Sequence, residues 1–257
     1  MQKYESFFNF GEMSAKIITF VAQKYVIMRR ILLIFSLVVM FATMGNAQPK
    51  DVRFGLKVGP TFDWASSGST ATKNDGMRVG FSVGVIHDRY FNDHVAISSG
   101  VNLNLLRMKY SFTDRRLVED FLEDANVMVS RQLKATNVEI PLKAKLRFEI
   151  FDSFSAFMEA GGGISFNIKD LGKDSYEFYW VSSDGKTYDN CSYQYRLLQL
   201  SMVFGLGAEY EINRNLCTFV QISFDHAFSN AFVHSLEKQT GSILRNNFIG
   251  VEVGIMF

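Results

Sequence analysis

Cysteine, proline and net charge are all scarce in this chain. Of 257 residues, 2 are Cys and 3 are Pro, and the formal net charge is +1. So even a balance excludes the pull toward nucleic acid that a strongly basic chain exerts. Cys191 and Cys217 form no CxxC motif and no Cys/His spacing for zinc, and His87, His94, His226 and His234 show no metal-ligand spacing. Past residue 44 no further apolar run reaches the roughly 20 residues that a membrane-spanning helix needs. Catalytic patterns are missing too. No Ser/His/Asp set is legible, and Asp225 and His226 are adjacent, so they point to opposite faces of a strand. Gly161-Gly162-Gly163 lies within a strand and lacks the strand–loop–helix setting of a phosphate loop. The expectation is no enzyme, no cofactor and no metal.

What the chain does have is 25 Phe and 19 Gly, the profile of a sheet protein with bulky outer and small inner positions. Its N-terminal region carries a targeting signal. Met28-Arg29-Arg30 leads into an apolar stretch from Ile31 to Met44, and Gly45-Asn46-Ala47 precedes Gln48. This is a charged region, an apolar region and a small-x-small cleavage site, so residues 28–47 read as a signal peptide. Residues 1–27 then read as an upstream extension from a misassigned start, and 48–257 as the mature domain. The competing reading is a membrane anchor over Ile17 to Met44, which would set Arg29 and Arg30 at mid-membrane at a cost of several kcal/mol.

The mature region alternates with a period of two. From Ile249 the odd positions Val251, Val253, Ile255 and Phe257 are apolar, while Gly250, Glu252 and Gly254 fall between them. The same alternation predicts strands over about Arg53–Trp64, Gly76–Tyr90, Val95–Phe112, Thr136–Glu149, Ser153–Ile168, Tyr195–Glu211 and Leu216–Phe228, with the eighth ending the chain. In the third strand the apolar phase passes from Leu105 to Leu106, Met108, Tyr110 and Phe112, which predicts a β-bulge. Pro141 predicts a kink or bulge in the fourth strand. Connections alternate long and short: Asn92–His94, Phe151–Asp152 and Ile212–Asn215 are short, whereas Thr113–Leu133, Lys169–Tyr193 and Ser229–Arg245 are long. The expected fold is therefore all-β, an eight-stranded antiparallel up-and-down transmembrane β-barrel with long extracellular loops and short periplasmic turns. The soluble alternative, a lipocalin-like barrel, puts its bulky apolar residues inside. Here the bulk lies on one face and Gly, Ser and Thr dominate the other, which favours lipid outside. The two cysteines then fall at opposite ends of the barrel, beyond the ~7 Å a disulfide tolerates.

Inside such a barrel the expected charge network comprises Lys57, Glu139, Lys143, Lys145, Glu159 and Glu252, with Arg53, Arg78, Arg147, Asp63, Glu209 and Asp225 as further inward candidates. A strand turn centred on Phe151 sets Lys143 across from Glu159. The network reads as a salt-bridged plug, since eight strands leave room for side chains but not for a channel. The sharper alternative is a selectivity ring or proton path. Trp64, Tyr90, Tyr110, Phe148, Tyr210 and Phe228 are candidates for a lipid-facing aromatic belt. Among the loops, 115–129 reads as a solvated segment or a short acidic helix. Tyr176 to Val181 with the Asp184-Gly185 turn reads as a hairpin extending strands five and six.

Ending on an apolar strand with a terminal aromatic resembles outer-membrane barrels, in which that residue belongs to the insertion signal; here it is Phe257. Together, Arg53-Phe54-Gly55-Leu56-Lys57-Val58-Gly59, Val138-Glu139-Ile140-Pro141-Leu142-Lys143 and the last strand resemble the PorT-type outer-membrane β-barrel family of Bacteroidota. The resemblance implies a Gram-negative outer membrane, and the long–short alternation of connections puts both termini in the periplasm. It also implies contact with membrane lipid and the barrel insertion machinery, and a role in type IX-like protein secretion with secretion-system or surface proteins as partners. A structural or adhesive OmpX-like barrel and a narrow solute pore are the alternatives.

Overall fold

The computed structural model describes residues 52–67, 72–118, 123–178, 181–184, 187–213, 216–233 and 243–257. The expected extension, signal peptide and cleavage site lie outside these residues. Eight long strands build the wall: β1 (Val52–Ser67), β2 (Arg78–Asn92), β3 (Val95–Val118), β4 (Glu123–Phe151), β5 (Phe154–Phe178), β6 (Leu198–Asn213), β7 (Leu216–Ala227) and β8 (Leu244–Met256). Each pairs antiparallel with its neighbours in sequence. β8 returns to β1 along a ladder that includes Val58↔Val253 and Phe62↔Ile249. The sheet closes on itself, which removes the free edges that lipid cannot hydrogen-bond. This is the expected eight-stranded antiparallel transmembrane barrel. Among the described residues no helix is long and apolar enough to cross a membrane; the strands do so instead.

The outward positions form an apolar band. Leu56 and Phe62 on β1, Val83 and Val85 on β2, Leu142 and Leu146 on β4, Phe204 and Leu206 on β6, and Val251 and Val253 on β8 are all exposed. So much contiguous apolar surface suits a bilayer and not water. The inward positions alternate with these and are polar or small. Phe148, Tyr210 and Phe228 of the expected aromatic belt do face outward. Tyr90 and Tyr110 do not: Tyr90 turns inward beneath the Arg53 guanidinium and Tyr110 is wholly buried.

At one end the connections are short, with Asp93-His94, Asp152-Ser153 and residues 214–215 alone separating paired strands. The chain termini of the wall, Phe54 and Phe257, bond to each other at the same end. At the other end β3, β4 and β5 run far past the band. β4 has 29 residues, against the roughly 9–11 a tilted strand needs to cross a bilayer. Among the described residues Thr113–Val118 and Glu123–Leu133 are therefore strand and not loop, helix or coil, and 119–122 lie outside the described residues. The β3–β4 ladder continues from Thr113↔Met128 to Val118↔Glu123. Once a hairpin is in register, its backbone bonds carry the pairing outward even where alternation fades. The hairpin beyond β5 is also present, with a ladder from Ser175↔Asp184 to Phe178↔Val181, and Gly185 of the expected turn lies outside the described residues.

The expected bulge in β3 is absent. Pairing with β4 runs without a slip through Leu105↔Thr136 and Leu106↔Ala135. Ser98, Asn102, Asn104, Leu106, Met108, Tyr110 and Phe112 all point inward on one phase. The strand does not flip; the interior changes from polar to apolar. The true bulge sits on β5, where Thr136 pairs with Lys169 and Asn137 with Asn167, leaving Ile168 over. Pro141 brings no slip either. Its ladder with β3 simply lacks partners between Ser99↔Leu142 and Asn102↔Glu139, and Pro60 leaves a matching gap between Val58↔Val253 and Thr61↔Gly250.

The outward placement of Leu206, paired with Met158 and Ile222 and 63% exposed, predicts that Leu206→Arg destabilises the barrel by about 2–4 kcal/mol in lipid vesicles. Urea unfolding of the reconstituted protein measures this, and an unchanged midpoint contradicts the orientation of the wall.

Candidate functional site: the filled lumen

Nearest the short turns, the lumen holds a cluster of charges. The Lys145 ammonium donates to Asp88 at 2.7 Å and to Glu209, with the Phe157 ring 4.4 Å below it. The Arg147 guanidinium donates to Glu211 at 2.6 Å and lies 3.4 Å from Glu209, and Arg53 reaches the same Glu211 at 3.2 Å. Phe157 and Phe219 fit beside these charges because Gly207 and Gly254 face them. A Cβ at either glycine would lie 2.4 Å from a ring carbon.

Higher in the lumen, Lys57 donates to both oxygens of Glu252, at 2.9 and 3.0 Å, and Gln221 adds a third bond at 2.9 Å. Lys143 pairs with Glu159. The expected register is off by two residues, because the turn is Asp152-Ser153 and the ladder slips by one at Ile150: Lys145 lies opposite Glu159 and Lys143 opposite Gly161. The Lys143–Glu159 contact is therefore diagonal. Glu139 has amide partners instead of a cation, with Asn104 at 2.8 Å and Asn102 at 3.3 Å. Asp225 takes a bond from Ser201 at 2.8 Å. Pairing on this scale follows from the setting, since a lone charge in a narrow dry interior is expensive. Between this layer and the next, Asn137, Gln199 and Asn246 line a cavity of about 10 Å³, the scale of one water molecule.

The far end is closed by an apolar cluster. Leu106, Met108, Tyr110 and Phe112 of β3 meet Leu133 of β4, Tyr195, Phe232, and Leu244 and Phe248 of β8. One cation enters it. Arg131 forks onto Asp174 at 2.5 and 2.7 Å, donates to Gln194 and to the Tyr195 hydroxyl, and covers the Phe112 ring at 4.9 Å. Tyr110 and Tyr195 share a hydrogen bond. Burial pushes the Cys191 thiol up to about 12, so it is inert, and it stands unpaired, as does Cys217 near the opposite end. Burial also pushes the Asp170 carboxyl up to about 7, against the opposing pull of its bond from Asn167 and of Arg131.

A family described as "Outer membrane protein beta-barrel domain" matches residues 46–233. The chain belongs to this family. The fold and the family place it in the outer membrane. No curated protein matches the chain. Among solved structures, OprG from Pseudomonas aeruginosa is 12% identical, covering 81% of this chain and 97% of its own, with a TM-score of 0.40. Neisserial surface protein A is also 12% identical, covering 79% and 95%, with a TM-score of 0.37. Ail, the attachment invasion locus protein of Yersinia pestis, is 12% identical, covering 80% and 99%, with a TM-score of 0.35.

For this family member the lumen departs from expectation in three places. Arg78 continues the inward phase of β2 but is exposed, because β2 ends there, paired with β1 alone and already parted from β3. Asp88 is missing from the expected set, although Ser82, Gly84 and Asp88 share one phase. Arg131, Asp170 and Asp174 are missing because their segments read as loops; extending the odd phase of β4 back through Ala135 and Leu133 reaches Arg131. Among the described residues no cluster of His, Cys, Asp and Glu suits a metal ion.

Two outcomes are expected. Lys57→Met leaves Glu252 buried with only Gln221 and costs about 3–5 kcal/mol, whereas Lys57→Met with Glu252→Gln recovers most of that, as read by urea unfolding in vesicles. A single-variant cost near zero shows the pair to be idle. Asp170 has a folded value above its unfolded 3.8, so the folded chain holds that proton more tightly. Its stabilising effect is full below about 4 and is lost as pH rises to about 7. Amide exchange around Cys191 therefore speeds up across that window, and Asp170→Asn flattens the profile.

Proposed function

We propose that this outer-membrane barrel is non-enzymatic and acts through protein contacts on its projecting strands, in support of protein secretion of the type IX kind. The observation that carries this reading is the contrast between lumen and rim. The interior is filled by paired charges below and an apolar cluster above, while β3, β4 and β5 extend far beyond the band. A filled lumen suits neither transport nor a selectivity ring, and long projecting strands suit contact with other proteins. The PorT-type resemblance supplies the secretion role. With the short turns inside the cell envelope, both termini stand in the periplasm, the projecting strands face outward, and Phe257 serves as the signal for the barrel insertion machinery. The charge network of Lys57, Glu139, Lys143, Lys145, Glu159 and Glu252 then acts as a structural plug.

The second reading is an OmpX-like structural or adhesive envelope barrel, favoured by the same projecting β3–β4 hairpin. A narrow solute pore stands third. Comparison of exported and surface proteins in a deletion strain and its parent separates the first two. Cargo held in the periplasm of the mutant is the expected result; an unchanged profile overturns the secretion reading and leaves the envelope barrel. Single-channel recordings that show steady conductance would overturn both in favour of the pore.

A further inference from the structure

We propose that a basic notch on the outer wall, just above the apolar band, binds the phosphate of a lipid headgroup. The notch exists because β2 parts from β3 early while it stays paired with β1 up to Asp63↔Arg78. Its ladder with β3 stops at Phe81↔Leu105, and higher on β3 the short strand Thr72–Asn74 takes its place against Tyr110–Phe112. Gly76, with φ +105°, makes the turn between the two. The interval is a cavity of about 270 Å³ lined by Arg78, Arg107, Gln132, Lys134 and Tyr188, with Val79 at its edge.

Three features make it an anion site. Arg78, Arg107 and Lys134 come from three successive strands, are all exposed, and none makes an ion pair among the described residues. The Asp63 carboxylate lies on the inner side of the wall, where it accepts from the Arg107 backbone N–H at 2.7 Å and meets the Arg107 charge only through space, without an ion pair. One wall is held in place: the Lys134 ammonium sits 3.8 Å over the Tyr188 ring, and the Tyr188 hydroxyl donates to Gln132 at 3.3 Å. Arginine forks match the paired oxygens of a phosphate.

The occupant follows from height. Val79 is 57% exposed beside Arg78, and Leu105 is 41% exposed two residues below Arg107; both belong to the lipid-facing band. A ligand in the notch therefore has acyl chains beneath it and water above, which is where a headgroup phosphate lies. Exposed Lys169 on β5 continues the basic edge at the level of Thr136. Each cation at a membrane surface contributes about fivefold in affinity for an anionic lipid, so the three together contribute roughly a hundredfold.

The test uses the full chain in detergent and compares retention of lipid A with that of the same lipid stripped of its phosphates, by native mass spectrometry. Clear preference for the phosphorylated form, lost by roughly a hundredfold in Arg78→Ala/Arg107→Ala/Lys134→Ala, is the expected result. Far-UV circular dichroism confirms that the variant keeps its strands; if the triple variant does not fold, Arg78→Gln and Lys134→Gln singly show the same loss at about fivefold each. Equal retention of both lipids, or of the phosphorylated lipid by wild type and variant, overturns the proposal. Full displacement by inorganic phosphate also overturns it, since the site would then take a free anion and not a lipid.

Discussion

Inside the membrane-height part of this barrel a charge can be satisfied only by another side chain. Lipid surrounds the wall, the lumen is eight strands wide, and water has little room. That constraint explains why Lys57, Lys143, Lys145 and Arg147 each meet a carboxylate, and why Glu139, with no cation, is held by two amides. It also sets what the lumen can do. A carboxylate already bonded to lysine and glutamine, as Glu252 is, offers no open coordination to a passing ion. The network cross-braces the wall: its contacts join β1 to β8, β4 to β2 and β6, and β4 to β5.

Above the band the solvent changes and the polarity of the wall inverts with it. The same even-numbered face of β3 that presents Asn102 and Asn104 to the lower lumen presents Tyr110 and Phe112 to the upper one. Outside, Leu103 and Leu105 give way to Arg107 and Lys109. In lipid the strand gains by turning apolar groups outward; in water it gains by burying them. A continuous strand that crosses the interface must switch both faces together, and β3 does so within two residues.

This switch also explains which parts of the fold the sequence made legible. The strands, the antiparallel closure and the inward phase of Lys57, Lys143, Lys145, Glu159 and Glu252 follow from a period-two pattern that needs only one orientation rule. At Leu105–Leu106 that rule reverses, and alternation alone cannot distinguish a strand that slips by one residue from a strand whose surroundings exchange. The bulge assigned there belongs instead to Ile168, where flanking residues of mixed character hide the slip. The lengths of β3 and β4 were hidden for a related reason: once a two-stranded ribbon has water on both sides, neither face needs to be greasy. Arg131 escaped notice with them. The different register at Lys143 has a smaller cause, a turn at Asp152-Ser153 combined with a one-residue slip at Ile150, yet it exchanges which lysine stands opposite Glu159.

The two storeys therefore draw on different forces within one unbroken hydrogen-bonded wall. The lower one is held by backbone closure in lipid and by paired charges that cost much to separate; the upper one is held by burial of aromatic and aliphatic side chains against water. The place where they join is set by the chain itself. Asp63 turns its carboxylate to the Arg107 amide where β2 is about to leave, and the lost β2–β3 ladder is replaced above by Thr72–Asn74. Where the wall changes solvent, the outer surface carries cations that make no ion pair among the described residues, while the inner surface passes from carboxylates to aromatic rings. Any partner that distinguishes the two ends of this barrel meets that boundary as its sharpest chemical feature.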